Sequence, residues 1–438
     1  MADTIKRYVS AIEALDVRDI TPDLIDIQNN YGLTDVMGAF GREKPATMYK
    51  VESFVNNAIW KEGVVGPSPT GDGTPTVTVA LTSATSGDRR TNDLVAFTNG
   101  KVGMVKTVTA GATDSLVIES VDGTNITVTA GDKLKFFSNV SGEQSKGRAS
   151  VFVGATHMHQ LLQIFRENHR TSDVQLLSKT EAPKEGLWYY KEYWEKFMKL
   201  KAEVNAAHIA GRISVSEFST STNAITDPGN GGIIQTERGL HQYITSYGVN
   251  DTVASSGTFT LKTDATDLIN KLIANKADNK YIMMGSTAAL GPIDDELKGL
   301  GSSGVTSGRM SLDGKHIDFN VESFKYKGFE FQKMLLPILN QPELFGGSIY
   351  AKGVYLIPQG NTRTTDGNNQ SSYQPRIQTR YKPQPASISK NAIWGEFHGG
   401  MYSKVNPTSD VAEANVNWIT AQAIEILGPQ VFGFLQTV

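Results

Sequence analysis

The chain has 438 residues, 42 glycines, no cysteine and a formal net charge of −3, with 39% hydrophobic and 20% charged residues. That length accommodates about three domains with ample apolar content for a core, and the lack of cysteine excludes disulfides, thiolate nucleophiles and cysteine-based zinc sites. The near-neutral charge, with no dense basic run, gives no drive toward a phosphate backbone, and no apolar run approaches the ~20 residues needed to cross a bilayer.

Residues 1–10 do not have the shape of a secretion signal, and a soluble protein is expected. Ile5, Tyr8, Val9, Ile12 and Leu15 recur at helical spacing, which predicts a short amphipathic helix that must bury one stripe. Thr21-Pro22-Asp23 then opens a second short helix over 24–28, so residues 1–45 read as an arm. Val51, Phe54, Val55, Ile59 and Trp60 suggest an extended or partly helical lead, and the Gly/Pro/Thr-rich stretch 63–75 reads as a boundary. Beyond it come short alternating runs at 76–81, 93–98, 102–109, 115–121, 125–129 and 133–137. Asn99-Gly100, Asp122-Gly123 and Gly131-Asp132 separate some of them as turns. This pattern predicts a small β-barrel or sandwich over about 74–138, inserted as a module.

The stretch 151–170 is helical by pattern, with Val153, Met158, Leu161, Leu162 and Phe165 on one side. A longer helix is expected over 184–211, ~40 Å at 1.5 Å per residue, with Gly211 to stop it. Its predicted core residues are Leu187, Tyr190, Trp194, Phe197 and Val204, with Glu192–Lys196 and Glu195–Lys199 on the solvent side. After a polar loop containing Asp227-Pro228-Gly229, the pattern gives a helix at 264–277, a buried strand at 280–285 and a helix at 287–298. A flexible Gly/Ser loop is expected at 299–308, then strands at 317–324, 329–335 and 354–358. Residues 360–385 read as a polar surface loop, and 393–397 with 415–426 as strands that close an α+β fold.

No constellation in the sequence carries chemistry, so no catalytic, cofactor-binding or metal-ligating residue is assigned. His157 and His159 would diverge by about 200° on a helix, which disfavours a two-histidine metal site. His208 suits the C-terminal dipole of the long helix, and Asp294-Asp295-Glu296 suit a helix start. The glycine clusters lack the lysine and hydroxyl of a phosphate loop, and no nucleophile elbow occurs. Carboxylate pairs far apart in sequence keep a polysaccharide hydrolase as an alternative.

The order of elements resembles the tailed-bacteriophage major capsid protein family, the Hong Kong 97 fold. The local likeness lies in Tyr281-Ile282-Met283-Met284-Gly285, in Phe329-Glu330-Phe331-Gln332-Lys333-Met334-Leu335, in Gly353-Val354-Tyr355-Leu356-Ile357-Pro358 and in the ending Pro429-Gln430-Val431-Phe432-Gly433. The resemblance implies an N-terminal arm at 1–45 and an extended β loop at 46–150 that carries the module. It implies a peripheral domain at 151–262 with the spine helix 184–211, an axial domain at 263–359, and a surface loop with closing strands at 360–438 returning to the peripheral domain. The module is larger than a plain extended hairpin and resembles an insertion carried by the extended loop, as in some large or crAss-like phage capsids.

The function so implied is a non-enzymatic subunit that assembles into the icosahedral head shell of a tailed bacteriophage and encloses double-stranded DNA without binding it specifically. Its partners would be its own copies in hexamers and pentamers, with portal, scaffolding and decoration proteins, and no membrane or cofactor. Its place would be the virion capsid, assembled in the bacterial host cytoplasm. Ile5, Tyr8, Ile12, Leu15, Phe54 and Trp60 would make the intersubunit arm contacts. An encapsulin-like cargo compartment and a tail or baseplate component are the alternatives.

Overall fold

A computed structural model of the chain describes residues 33, 43–56, 63–67, 69–82, 89–109, 114–143, 155–172, 188–214, 225–229, 231–253, 259–302, 323–365, 371–383, 393–398 and 413–437. In chain order come strands Glu43–Pro45 (β1), Lys50–Asn56 (β2), Gly63–Val64 (β3), Thr76–Ala80 (β4), Asp93–Ala96 (β5), Val102–Thr109 (β6), Ser115–Ser120 (β7), Lys133–Asn139 (β8), Ala155–Leu161 (β9) and Gln163–Ser172 (β10). Helices Trp188–Ala210 (α1) and Leu240–Tyr247 (α2), strand Val249–Thr252 (β11), helix Thr266–Ala274 (α3), strand Lys280–Gly285 (β12) and helix Thr287–Ser302 (α4) follow. The remaining strands are Ser323–Tyr326 (β13), Phe329–Leu335 (β14), Gly353–Pro358 (β15), Asn361–Thr365 (β16), Ser371–Pro375 (β17), Ile377–Tyr381 (β18), Ile393–His398 (β19), Glu413–Ile426 (β20) and Gly433–Gln436 (β21). The protein is α+β. It divides into two compact units, one of Ser53–Met158 and one of Met1–Glu52 with His159–Val438.

In the larger unit, β20 is the axis of a five-stranded sheet. One edge pairs antiparallel with β10 from Gln163↔Gln422 to Ser172↔Glu413, and the other pairs with β18 and β19 in turn. Strand β1 adds parallel to β18. Period-two alternation aims Phe165, Val416 and Trp418 at one face, where Leu200 and Val204 of α1 bury against them. Each such side chain contributes about 1.5–3 kcal/mol by leaving water. At 23 residues α1 is about 35 Å long.

A six-stranded mixed sheet, in the order β11-β21-β15-β12-β14-β13, forms the second layer system of this unit. Tyr281 and Met283 of β12 face α3 and α4, where Leu268, Leu272, Ala289 and Ile293 are buried. The alternate residues Ile282 and Met284 face the core built by Leu240 and Ile244 of α2 with Phe345. A strand covered on both faces needs apolar side chains at successive positions, which is why 280–285 reads as a continuous run.

The smaller unit holds a six-stranded sheet in the order β3-β8-β5-β6-β7-β4. Its two ends meet through the Val65↔Leu81 bridge, so the sheet closes on itself. Val77, Val79, Val95, Val105, Leu116, Ile118, Ile126 and Leu134 fill its interior with no exposure. Gly100, Gly123 and Gly131 make the turns with φ of 80°, 73° and 91°, values that a β-carbon disfavours.

Several expectations need correction. Residues 155–172 form two strands, not a helix. Strands β9 and β10 follow one another across Leu162 alone, so Met158, Leu161, Leu162 and Phe165 fall at intervals that imitate a helical stripe. On a strand, His157 and His159 project to the same side rather than diverging. The stretch 63–75 is not a linker: it contains β3 and bridges at Val65, Thr70 and Thr74. Residues 125–129 make a single bridge at Ile126 rather than a strand. Helix α3 ends at Ala274 and is entered through a π turn at Leu261–Ala265. Helix α4 runs on to Ser302, which places Asp294, Asp295 and Glu296 in its middle.

The supposed surface loop 360–385 holds the β16–β17 hairpin and the buried strand β18. The chain end also departs from a simple return to the five-stranded sheet. After Gly428 turns at φ 70°, β21 enters the six-stranded sheet between β11 and β15. Helix α2 and strand β11 had no counterpart in the sequence reading. The arm helices at 5–15 and 24–28, and residues 184–187, 303–308 and 317–322, lie outside the described residues.

Candidate functional site

Among the described residues of the larger unit, buried polar groups gather where α1 ends on the β20 sheet. His208 is fully buried and its Nδ1 lies 2.8 Å from Glu237 Oε1. The other oxygen, Glu237 Oε2, accepts the backbone N–H of Ile424 at 2.9 Å. Gln160 spans the same seam: its Nε2 donates to the carbonyls of Arg238 and Ile424 at 2.8 and 2.6 Å, and its Oε1 accepts from Arg238 N at 2.8 Å. On β18, Gln378 and Arg380 both donate to the Glu425 carboxylate. These groups tie the 237–238 segment and β18 to β20. His208 is therefore a buried partner of Glu237, beyond the dipole role its position suggests.

The acids in the middle of α4 are likewise committed. Lys333 pairs with Asp294, and Glu296 Oε1 accepts Leu261 N at 3.4 Å. Among the described residues no group of three His, Asp or Glu side chains is placed to hold a metal ion. The glycines at 71–73 and 227–229 lie in turns: Gly71 and Gly73 have φ of 79° and 75°, and Asp227 accepts Gly229 N at 2.8 Å.

What the described chain does present is exposed apolar surface. Met48 and Phe54, the latter on β2, are each 70% exposed, and Tyr373 on the β16–β17 hairpin is 72% exposed. Leu344 and Ile349, after β14, are exposed as well. Strands β2 and β9 pair only with each other, as do β16 and β17, so both ladders keep open edges among the described residues. Open backbone edges and large apolar side chains are groups that can be satisfied by a further polypeptide.

No family model and no curated protein matches this chain. Among solved structures, the capsid of Myoviridae phage XM1 is similar at 11% identity and a TM-score of 0.44, covering 97% of this chain and 98% of that one. A structure of Microbacterium phage Oxtober96 is similar at 8% identity and a TM-score of 0.44, covering 98% of both chains. The holo-SrpI encapsulin complex from Synechococcus elongatus PCC 7942 is similar at 11% identity and a TM-score of 0.35, covering 65% of this chain and 78% of that one.

The sequence-assigned residues divide as follows. Val204 is core, and Phe197 is half-buried with its ring centroid 6.1 Å from that of Trp418. Trp194 is 50% exposed and touches Phe197 at 5.8 Å, so its assignment to the core is corrected. On α1 the buried stripe passes through Leu200, Val204 and Ile209, and Trp194 lies beside that stripe near the helix start. Tyr190 lies in α1, its side chain outside the described set, and Leu187 precedes it. Phe54 is exposed, with its ring centroid 5.2 Å from that of His157. Ile5, Tyr8, Ile12, Leu15 and Trp60 lie outside the described residues. Sequence reasoning missed Met48, in the bend between β1 and β2, and Tyr373, a large side chain in the polar strand β17.

Proposed function

We propose that this chain is a self-assembling shell subunit of the Hong Kong 97 type, the major capsid protein of a tailed bacteriophage. The order of elements supports it: a two-strand ladder leading to a β module, one long helix lying on a sheet, and a mixed sheet layered by helices. The observation that carries the reading is the placement of Met48, Phe54, Trp194 and Tyr373, each at least half exposed. Phe54 and Tyr373 stand on ladders that pair with no further strand among the described residues, and many modest contacts repeated between copies add up to a stable lattice. Copies would gather as hexamers and pentamers in the virion, enclosing DNA that a near-neutral chain does not grip. Portal, scaffolding and decoration proteins would complete the particle.

The test is deletion of residues 1–16. The truncated chain should stay folded by circular dichroism and fail to form large particles by sedimentation. Normal particles from it would remove the arm from the account.

A further inference from the structure

Where α1 ends on the β20 sheet, His208 Nε2, Gln422 Oε1 and Thr379 Oγ1 are buried with no hydrogen-bond partner among the described residues. None of these three side chains is more than 1% exposed. A polar atom left bare at such depth forfeits the hydrogen bonds it makes with water in the unfolded chain.

The topology brings the three together. Val416 and Trp418 lie on the face of β20 that α1 covers, and alternation along an unshifted register puts Gln422 and Ile424 there too. Thr379 pairs with Ile424, so its side chain rises on the same face, diagonal to Gln422 and within reach of a long side chain. Val204 belongs to the buried cluster of Phe165 and Trp418, and Ile209 to that of Ile377 and Ile424. Helix α1 therefore runs along β20 from Trp418 toward Ile424. His208, one turn past Val204, stands over the stretch between them. The other residues of that turn include Ala206, Ala207 and Ala210, whose small side chains leave room beside the imidazole.

The three atoms cannot satisfy one another. Glu237 accepts from Ile424 N with Oε2 and faces His208 Nδ1 with Oε1, so the ring proton sits on Nδ1 and Nε2 is an acceptor. Gln422 Nε2 donates to Thr420 Oγ1 at 2.6 Å, which leaves Oε1 as a second acceptor. Two acceptors thus face the single proton of the Thr379 hydroxyl.

We propose that this pocket binds one water molecule that fastens α1 to β18 and β20. Its two O–H groups donate to His208 Nε2 and Gln422 Oε1, and its oxygen accepts the Thr379 O–H. Three bonds to otherwise unpaired buried groups are the usual complement of an internal water. An anion would meet two acceptors with the Glu237 carboxylate behind them. A metal ion would lack an anionic ligand, since both Glu237 oxygens are engaged by His208 and Ile424.

A structure of the full-length chain at a resolution that shows ordered solvent is the direct test, and its failure would leave the shell reading untouched. One solvent peak within hydrogen-bond distance of all three atoms is expected. No peak, a metal ion in its place, or direct protein partners for the three atoms would overturn the assignment. Unfolding of Thr379→Val, of Gln422→Met and of the double variant supplies a second readout. Each single change should raise the unfolding constant about tenfold. The double variant should raise it by less than the product of the two, because either change already loosens the shared water. Effects that simply multiply would mean that the two side chains share no ligand.

Discussion

Replacing Trp194 by alanine separates a residue that serves the fold from one that serves assembly. The side chain is 50% exposed in the single chain. Of roughly 250 Å² on a tryptophan, about 125 Å² is therefore left for a neighbour to cover. At ~25 cal/mol per Å² that is about 3 kcal/mol per contact if fully covered. It corresponds to roughly a hundredfold in the association constant of each contact. The half already covered makes the folding cost of Trp194→Ala about 1–2 kcal/mol, since the unfolded chain also buries part of it. Trp418 is the control: it is 3% exposed with the Tyr193 ring edge-on at 4.7 Å. Its truncation should cost about 3–5 kcal/mol of folding. Urea unfolding of dissociated subunits gives the first quantity, and the concentration at which particles appear gives the second. If Trp194→Ala destabilises the subunit as much as Trp418→Ala and leaves assembly unchanged, the reasoning is wrong.

Other outcomes follow from the buried groups. Glu237→Ala should cost about 3 kcal/mol in urea unfolding, because it leaves the Ile424 N–H and His208 buried without their shared acceptor. His241 is buried among Tyr350, Tyr355 and Phe434, and burial, aided by the Arg212 charge, lowers its pKa from 6.5. The unfolded chain then takes up a proton more readily, so this part of stability is complete above pH 6.5 and declines as pH falls below it. His241→Phe should flatten that decline in unfolding curves measured across the range, and an unchanged slope would contradict it. Gly103→Ala should destabilise the module by about 1–3 kcal/mol, since the new methyl would lie 2.4 Å from Ile118 Cγ2. Hydrogen exchange in β6 and β7 would report it.

The buried strand Lys280–Gly285 was legible from its apolar run, and Phe329–Leu335 from the alternation of buried Phe329 and Phe331 with Glu330 and Gln332; both have the bounds that the sequence indicates. The module strands were legible from alternation and from turns that require glycine. Strand β18 was not, because its buried positions include Gln378 and Thr379 and the half-buried Arg380 follows them, residues that read as loop until Glu425 is seen to accept from Gln378 and Arg380. Segment 155–172 was misread because one residue between two strands reproduces a spacing of three and four. Trp194 was misplaced because it lies beside the buried stripe: Tyr193, one residue before it, packs on Trp418, and the next position along a helix is turned by about 100° from it. Met48 and Tyr373 gave no periodic signal at all, since exposure, in the bend before β2 for Met48 and on the β16–β17 ladder for Tyr373, is a property of what is missing around a residue.

The central claim is that the open ladders and exposed rings of this chain are satisfied by other copies of it. Electron microscopy of the purified, full-length protein at high concentration tests that directly. Closed, regular shells are the predicted result, and a field of single subunits under conditions where the chain is folded would contradict the account.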